Sequence, residues 1–149
     1  MTIKEYIGKD FLFYHITPSS NKGNILKCGL LPKKCNAICT VRSDAQIVWD
    51  NIIVYQLGDK KQEYTIIKLI SSKHGIGVEN VAEDSVSEPT APLHNYIADI
   101  PCISIDESDI INDSYIVKGN PGPVPDELIV GLDGYTRKPI PDVSNIPKC

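Results

Sequence analysis

Long apolar runs are missing from this chain. The longest stretches of apolar residues fall far short of the roughly 20 needed to cross a bilayer, so no membrane span is expected. The opening residues MTIKEYIGKD carry acidic side chains and no apolar core, so no signal peptide is expected either, and reducing cytoplasmic surroundings follow. The five cysteines (Cys28, Cys35, Cys39, Cys102 and Cys149) are odd in number and irregular in spacing. That makes a poor disulfide framework, and reduced thiols are the expectation. No C-x-x-C pair is present and no histidine stands at finger spacing, so no metal site is expected. Long basic runs are lacking too. With 15 basic residues against 19 acidic ones the net charge is −4, which offers no general attraction to phosphate backbones. Internal repeats and low-complexity tracts are absent, and Gly75-x-Gly77 lacks the third glycine and the Lys-Ser/Thr of a phosphate loop.

What remains has the size and composition of one soluble domain. Its 149 residues are 42% hydrophobic and 23% charged, enough to bury one core. The expected domain spans 1–149, with 119–149 a Pro/Gly-rich strap in which 127–132 retains the look of a strand.

Phe11-Leu12-Phe13-Tyr14, continued by His15 and Ile16, reads as a buried strand that ends at Thr17-Pro18-Ser19-Ser20. A helix follows, with Ser19 or Ser20 as cap, Ile25 and Leu26 on its inner face, Gly29 as its left-handed stop and Leu30 folding back. Residues 37–41 form a second short strand, and Ser43 caps a second helix. Ala45, Val48, Trp49 and Ile52 share one face of that helix, which makes Trp49 a core anchor. Residues 52–55 and 64–70 are β-branched runs around a Gly58-Asp59-Lys60-Lys61 turn and read as a hairpin, although the first run can begin as the end of the helix. A polar stretch over 71–99 reads as long loops, with His74 in a turn; 102–105 and 114–117 are further strand candidates.

His15, at the end of an apolar strand and before a capped helix, reads either as a satisfied core histidine or as a ligand-binding one. Tyr14-His15-Ile16-Thr17, the helix closing in Gly29-Leu30, and Ile38-Cys39-Thr40 before a second capped helix come in an order that resembles the histidine-type ADP-ribosyltransferases. The resemblance extends to their small bacterial toxin and DNA-modifying branches and, more distantly, to RNA 2′-phosphotransferases. It covers the first fifty residues well and the rest in outline. It implies an α+β fold with a split β-sheet and two short N-terminal helices, NAD as co-substrate, and a protein or nucleic-acid acceptor. A toxin of this kind also implies an antitoxin or immunity protein as partner.

The resemblance further implies roles for particular residues. His15 and Thr17 match the motif that holds an NAD ribose, and Thr40 matches the second motif beside the nicotinamide. Cys39 departs from that motif, since an aromatic ring is usual there; the ring is then to come from Tyr14, Tyr55 or Tyr96, of which Tyr55 is counted with the cofactor-binding residues. Arg42, just past the second strand, is matched to the pyrophosphate. The family's third motif is a glutamate near the start of a late strand. Glu79, Glu83, Glu88 and Glu107 are candidates here, and Glu88 is favoured. Cleavage of the bond from ribose to nicotinamide builds positive charge on the sugar, which a carboxylate stabilises, while His15 orients a ribose hydroxyl. Glu88 and His15 are therefore the catalytic pair that the resemblance implies. A catalytically silent nucleotide- or protein-binding member of the same fold is the alternative.

Overall fold

The computed structural model describes residues 10–32, 38–41, 43–54, 62–77, 80–83, 94–98, 100–119 and 121–122. In chain order they form β1 (Leu12–Pro18), a 3-10 turn (Ser19–Asn21), α1 (Lys22–Cys28), β2 (Ile38–Val41), α2 (Gln46–Ile52), β3 (Tyr64–Ile70), α3 (Ser71–His74), β4 (Val81–Glu83), β5 (His94–Ile97), a second 3-10 turn (Glu107–Asp109) and β6 (Ile110–Tyr115). The protein is thus a small α+β chain with short helices on an antiparallel sheet. The strands lie in the order β4-β5-β2-β1-β3-β6.

Alternation along the central strands divides the apolar side chains between two cores. Phe13 of β1 with Ile67 and Leu69 of β3 lies on one face, covered by Ile25 and Leu26 of α1 and by Leu30, Ile103 and Ile105. Tyr14 and Ile16 with Tyr64 and Ile66 lie on the other, covered by Val48, Trp49 and Ile52 of α2. The helical face read from the sequence is therefore the buried one, and Trp49 is a core anchor at 6% exposure, packed against Tyr14 and Tyr115 at ring separations of 5.7 Å.

The turn into α1 differs from expectation. Neither Ser19 nor Ser20 caps the helix; Asn21 stands at the cap without a side-chain bond to the backbone. Ser19 instead donates to the carbonyl of Asp113 (2.8 Å) and accepts from Thr65 (3.0 Å), so its hydroxyl ties β1 to β3 and β6. Gly29 does end the helix, at φ 83°. A Cβ there would come within 2.5 Å of Cys102 Sγ and 2.7 Å of the Ile103 carbonyl, because Leu30 and Ile103 exchange both backbone hydrogen bonds immediately beyond.

Four further expectations are corrected. Ile52 ends α2 and Ile53 continues in helical conformation, so these two are not the first arm of a hairpin with β3; the helical period, which buries both against the second core, wins over their β-branching. Ile103 makes one isolated bridge rather than a strand over 102–105, and the strand read at 114–117 begins earlier, at Ile110. Its start is set by a capping box in which Asp106 and Asp109 each accept from the other's end of the 3-10 turn. His74, read as a turn residue, is the last residue of α3, with its side chain 1% exposed. The strap expected over 119–149 lies outside the described residues apart from 119 and 121–122, where the Gly122 carbonyl accepts from Asn51 of α2.

Candidate functional site

β1 is hydrogen-bonded to a neighbour on each side, β3 and β2, and the pairing described with β3 is the longer. β1 pairs with β3 along its whole length, from Leu12↔Ile70 to Pro18↔Tyr64. Among the described residues its register with β2 is Tyr14↔Val41, and no pair of described residues follows toward Pro18. The strands part at His15, and its imidazole reaches across: Nδ1 donates to the Cys39 carbonyl at 2.8 Å. A carbonyl can only accept, so the proton of the neutral ring sits on Nδ1 and Nε2 is its acceptor nitrogen. The side chain is half-buried. β2 in turn pairs with β5 along its length, through Ile38↔Ile97, Cys39↔Tyr96, Thr40↔Asn95 and Val41↔His94.

Of the residues expected at a site, the structure brings His15 and the Cys39 main chain together across this gap. Thr17 and Thr40 are buried, at 5% and 3% exposure. The Thr17 hydroxyl accepts from Asn21 Nδ2 at 2.9 Å, so it braces the turn into α1. Glu88, Arg42 and Tyr55 lie outside the described residues, as does Glu79. Glu107 sits by β6, at the opposite side of the sheet from β5, with Lys22 at 3.9 Å. Glu83, in β4, pairs in register with Asn95 of β5, which pairs with Thr40. His94 stands on β5 opposite Val41 rather than in a loop.

Sequence reading missed two features. The five cysteines are not all reduced: Cys28 is disulfide-bonded, to a partner outside the described residues, while Cys39 and Cys102 are exposed and form no disulfide. The second is a clasp between α3 and the turn before β6. Asp109, 4% exposed, faces Lys73 Nζ at 2.5 Å through one carboxylate oxygen and His74 Nε2 at 3.1 Å through the other, and that second oxygen also accepts the Asp106 N–H at 3.0 Å. His74 Nδ1 lies 2.9 Å from the Ile70 N and 3.1 Å from the Ile70 carbonyl oxygen, while Nε2 faces Asp109. Burial works to raise the Asp109 carboxyl, but the bonds from Lys73, the Asp106 amide and His74 outweigh it and hold it below the usual carboxylate range. The capping signature Asp106-x-x-Asp109 was the signal in the sequence for its outer half.

Among the described residues no group of three or more metal-ligating side chains comes together, and no helix is long and apolar enough to cross a membrane. No family model matches the chain, and no significant match to a curated protein or a solved structure was found.

Proposed function

We propose that this chain is an NAD-dependent ADP-ribosyltransferase that modifies a macromolecular acceptor, a protein or a nucleic acid. The observation that carries the reading is the parting of β1 from β2 at His15, with the imidazole fixed across the gap by the Cys39 carbonyl. In that tautomer Nε2 is the acceptor nitrogen, the kind of group to which a ribose hydroxyl donates. The split-sheet character expected from the resemblance is supported by the same parting. In this reading His15 orients the sugar, a carboxylate stabilises the charge that develops on it, with Glu88 as the candidate, and the gap between the strands is where the dinucleotide enters.

A silent, binding-only member of the fold is the second reading. It is favoured by the start of β5, where His94 and Asn95 stand and not a carboxylate, and by Cys39 at the position where an aromatic ring was expected.

Calorimetric titration of the full chain with NAD, with nicotinamide release followed in parallel, tests both. Binding that His15→Ala abolishes, together with release that Glu88→Gln abolishes, is the outcome for the transferase. Binding without release selects the silent form. Absence of binding rejects NAD as a ligand altogether.

A further inference from the structure

We propose that Cys28 and Cys102 form a thiol–disulfide exchange site, in which the Cys102 thiolate attacks Cys28 Sγ and takes over its disulfide. The inference is independent of the NAD reading.

The fold sets the two residues side by side. Cys28, the last residue of α1, is disulfide-bonded. Cys102, 74 positions further along, is exposed and forms no disulfide, and its Sγ donates to the Cys28 carbonyl at 3.0 Å. The thiol therefore rests against the main chain of the residue whose own sulfur is the electrophile. Gly29 makes this approach possible. The Cβ it lacks would fall 2.5 Å from Cys102 Sγ, so the sulfur occupies the space that a side chain would take. The segment is also held from the next position, because Leu30 and Ile103 exchange both backbone hydrogen bonds, at 2.8 and 3.0 Å, and fix Cys102 against the end of α1. A thiol kept beside a disulfide in this way reacts as a neighbour and not as a solute.

A capping role alone explains less. The Cys28 carbonyl is one of the acceptors left over at a helix end, but S–H is a weak donor and a serine hydroxyl would serve that carbonyl better.

The step balances without an outside oxidant or reductant. Cys102 gives up its proton to water and its sulfur bonds to Cys28 Sγ. The bond from Cys28 to its former partner breaks, and the departing sulfur leaves with the electron pair as a thiolate and takes up a proton. One disulfide and one thiol are consumed and one of each is formed. The product ties the end of α1 covalently to the segment that already bridges to it at Leu30↔Ile103, and it releases the segment tied there before.

In the test the full chain, purified without reductant, is held under argon at about pH 6 and about pH 8, quenched with acid, alkylated and mapped as unreduced peptides. The expected result is a peptide pair linked through Cys28 and Cys102. It forms faster at the higher pH because the thiolate is the nucleophile, at a rate independent of protein concentration, and with an equal loss of the original linkage. Cys102→Ser keeps a donor for the Cys28 carbonyl and should melt within about 2 °C of wild type while forming no new linkage. Should that variant fail to fold, the wild-type map decides by itself. Cys28 joined to its original partner alone at both pH values, Cys28 recovered as a thiol, or a linkage to Cys39 formed as readily as one to Cys102 overturns the proposal. A rate that rises in proportion to protein concentration marks exchange between molecules and overturns it as well.

Discussion

Replacing Asp109 by alanine removes the hub of the clasp between α3 and β6. The carboxylate is 4% exposed and faces three groups: Lys73, His74 and the Asp106 amide. They do not count equally. The Lys73 side chain is 41% exposed, so most of its attraction to Asp109 is screened by water, and Lys73→Ala should cost under about 1 kcal/mol. His74 is 1% exposed and stays buried when its partner goes, and the Asp106 N–H loses the acceptor that begins the turn. Breaking a buried pair in this manner costs about 3–5 kcal/mol, and the solvated lysine argues for the lower end, about 3 kcal/mol. For a chain of this size that corresponds to a fall in Tm of about 6–12 °C. Asp109→Asn keeps the shape and one acceptor, and should lose about 1–2 kcal/mol.

Urea unfolding followed by the fluorescence of buried Trp49 measures all three variants. The pH dependence gives a second reading. Because the folded carboxyl titrates below its ordinary value, its contribution is fully present above the unfolded pKa of about 3.9 and disappears as the pH falls through the folded pKa. The stability gap between wild type and Asp109→Asn should therefore close in acid. An alanine variant that melts within about 2 °C of wild type, or a Lys73→Ala variant that costs as much, would refute the reasoning.

Two glycines with positive φ separate steric from conformational cost. Gly29→Ala forces a Cβ onto Cys102 Sγ and the Ile103 carbonyl and should destabilise by about 2–4 kcal/mol, whereas Gly75→Ala, at φ 70° with nothing within 4 Å, should cost about 1 kcal/mol; equal melting temperatures for the two would contradict this. Alkylation of the native protein followed by peptide mapping should modify Cys39 and Cys102 and leave Cys28 unmodified until reductant is added. A Cys28 peptide that alkylates without reductant would be the contrary result. Reduction should also lower the melting temperature, as loss of a native disulfide generally does.

Local rules determined much of this architecture in advance. The β-branched run 64–70 became β3 with the same bounds, the apolar spacing of Val48, Trp49 and Ile52 became the buried face of α2 with Ala45 standing just before it as N-cap, and Gly29 became the positive-φ stop of α1. Each of these depends on neighbours within one element, where the period of the backbone decides which side chains share a face. His15 stood out for the same reason, as a polar group closing an apolar strand. Other features were decided only by tertiary contact. That β1 is paired along its whole length with β3, and among the described residues at one register position with β2, is a property of strand order, and adjacency in sequence would have suggested the reverse, since β2 follows β1 directly. Ile52 and Ile53 carry strand-forming side chains but lie on a helix that needs them to complete a core. Asp109 and His74 look solvated in a polar sequence until β6 is laid beside β3 and the two are shut in together. Tyr96 becomes a neighbour of Cys39 across 57 positions of chain because antiparallel pairing, a long-range choice among competing registers, joins β5 to β2. Periodicity within an element is written residue by residue, whereas register between elements is settled by which faces must be buried, and only the folded sheet fixes that.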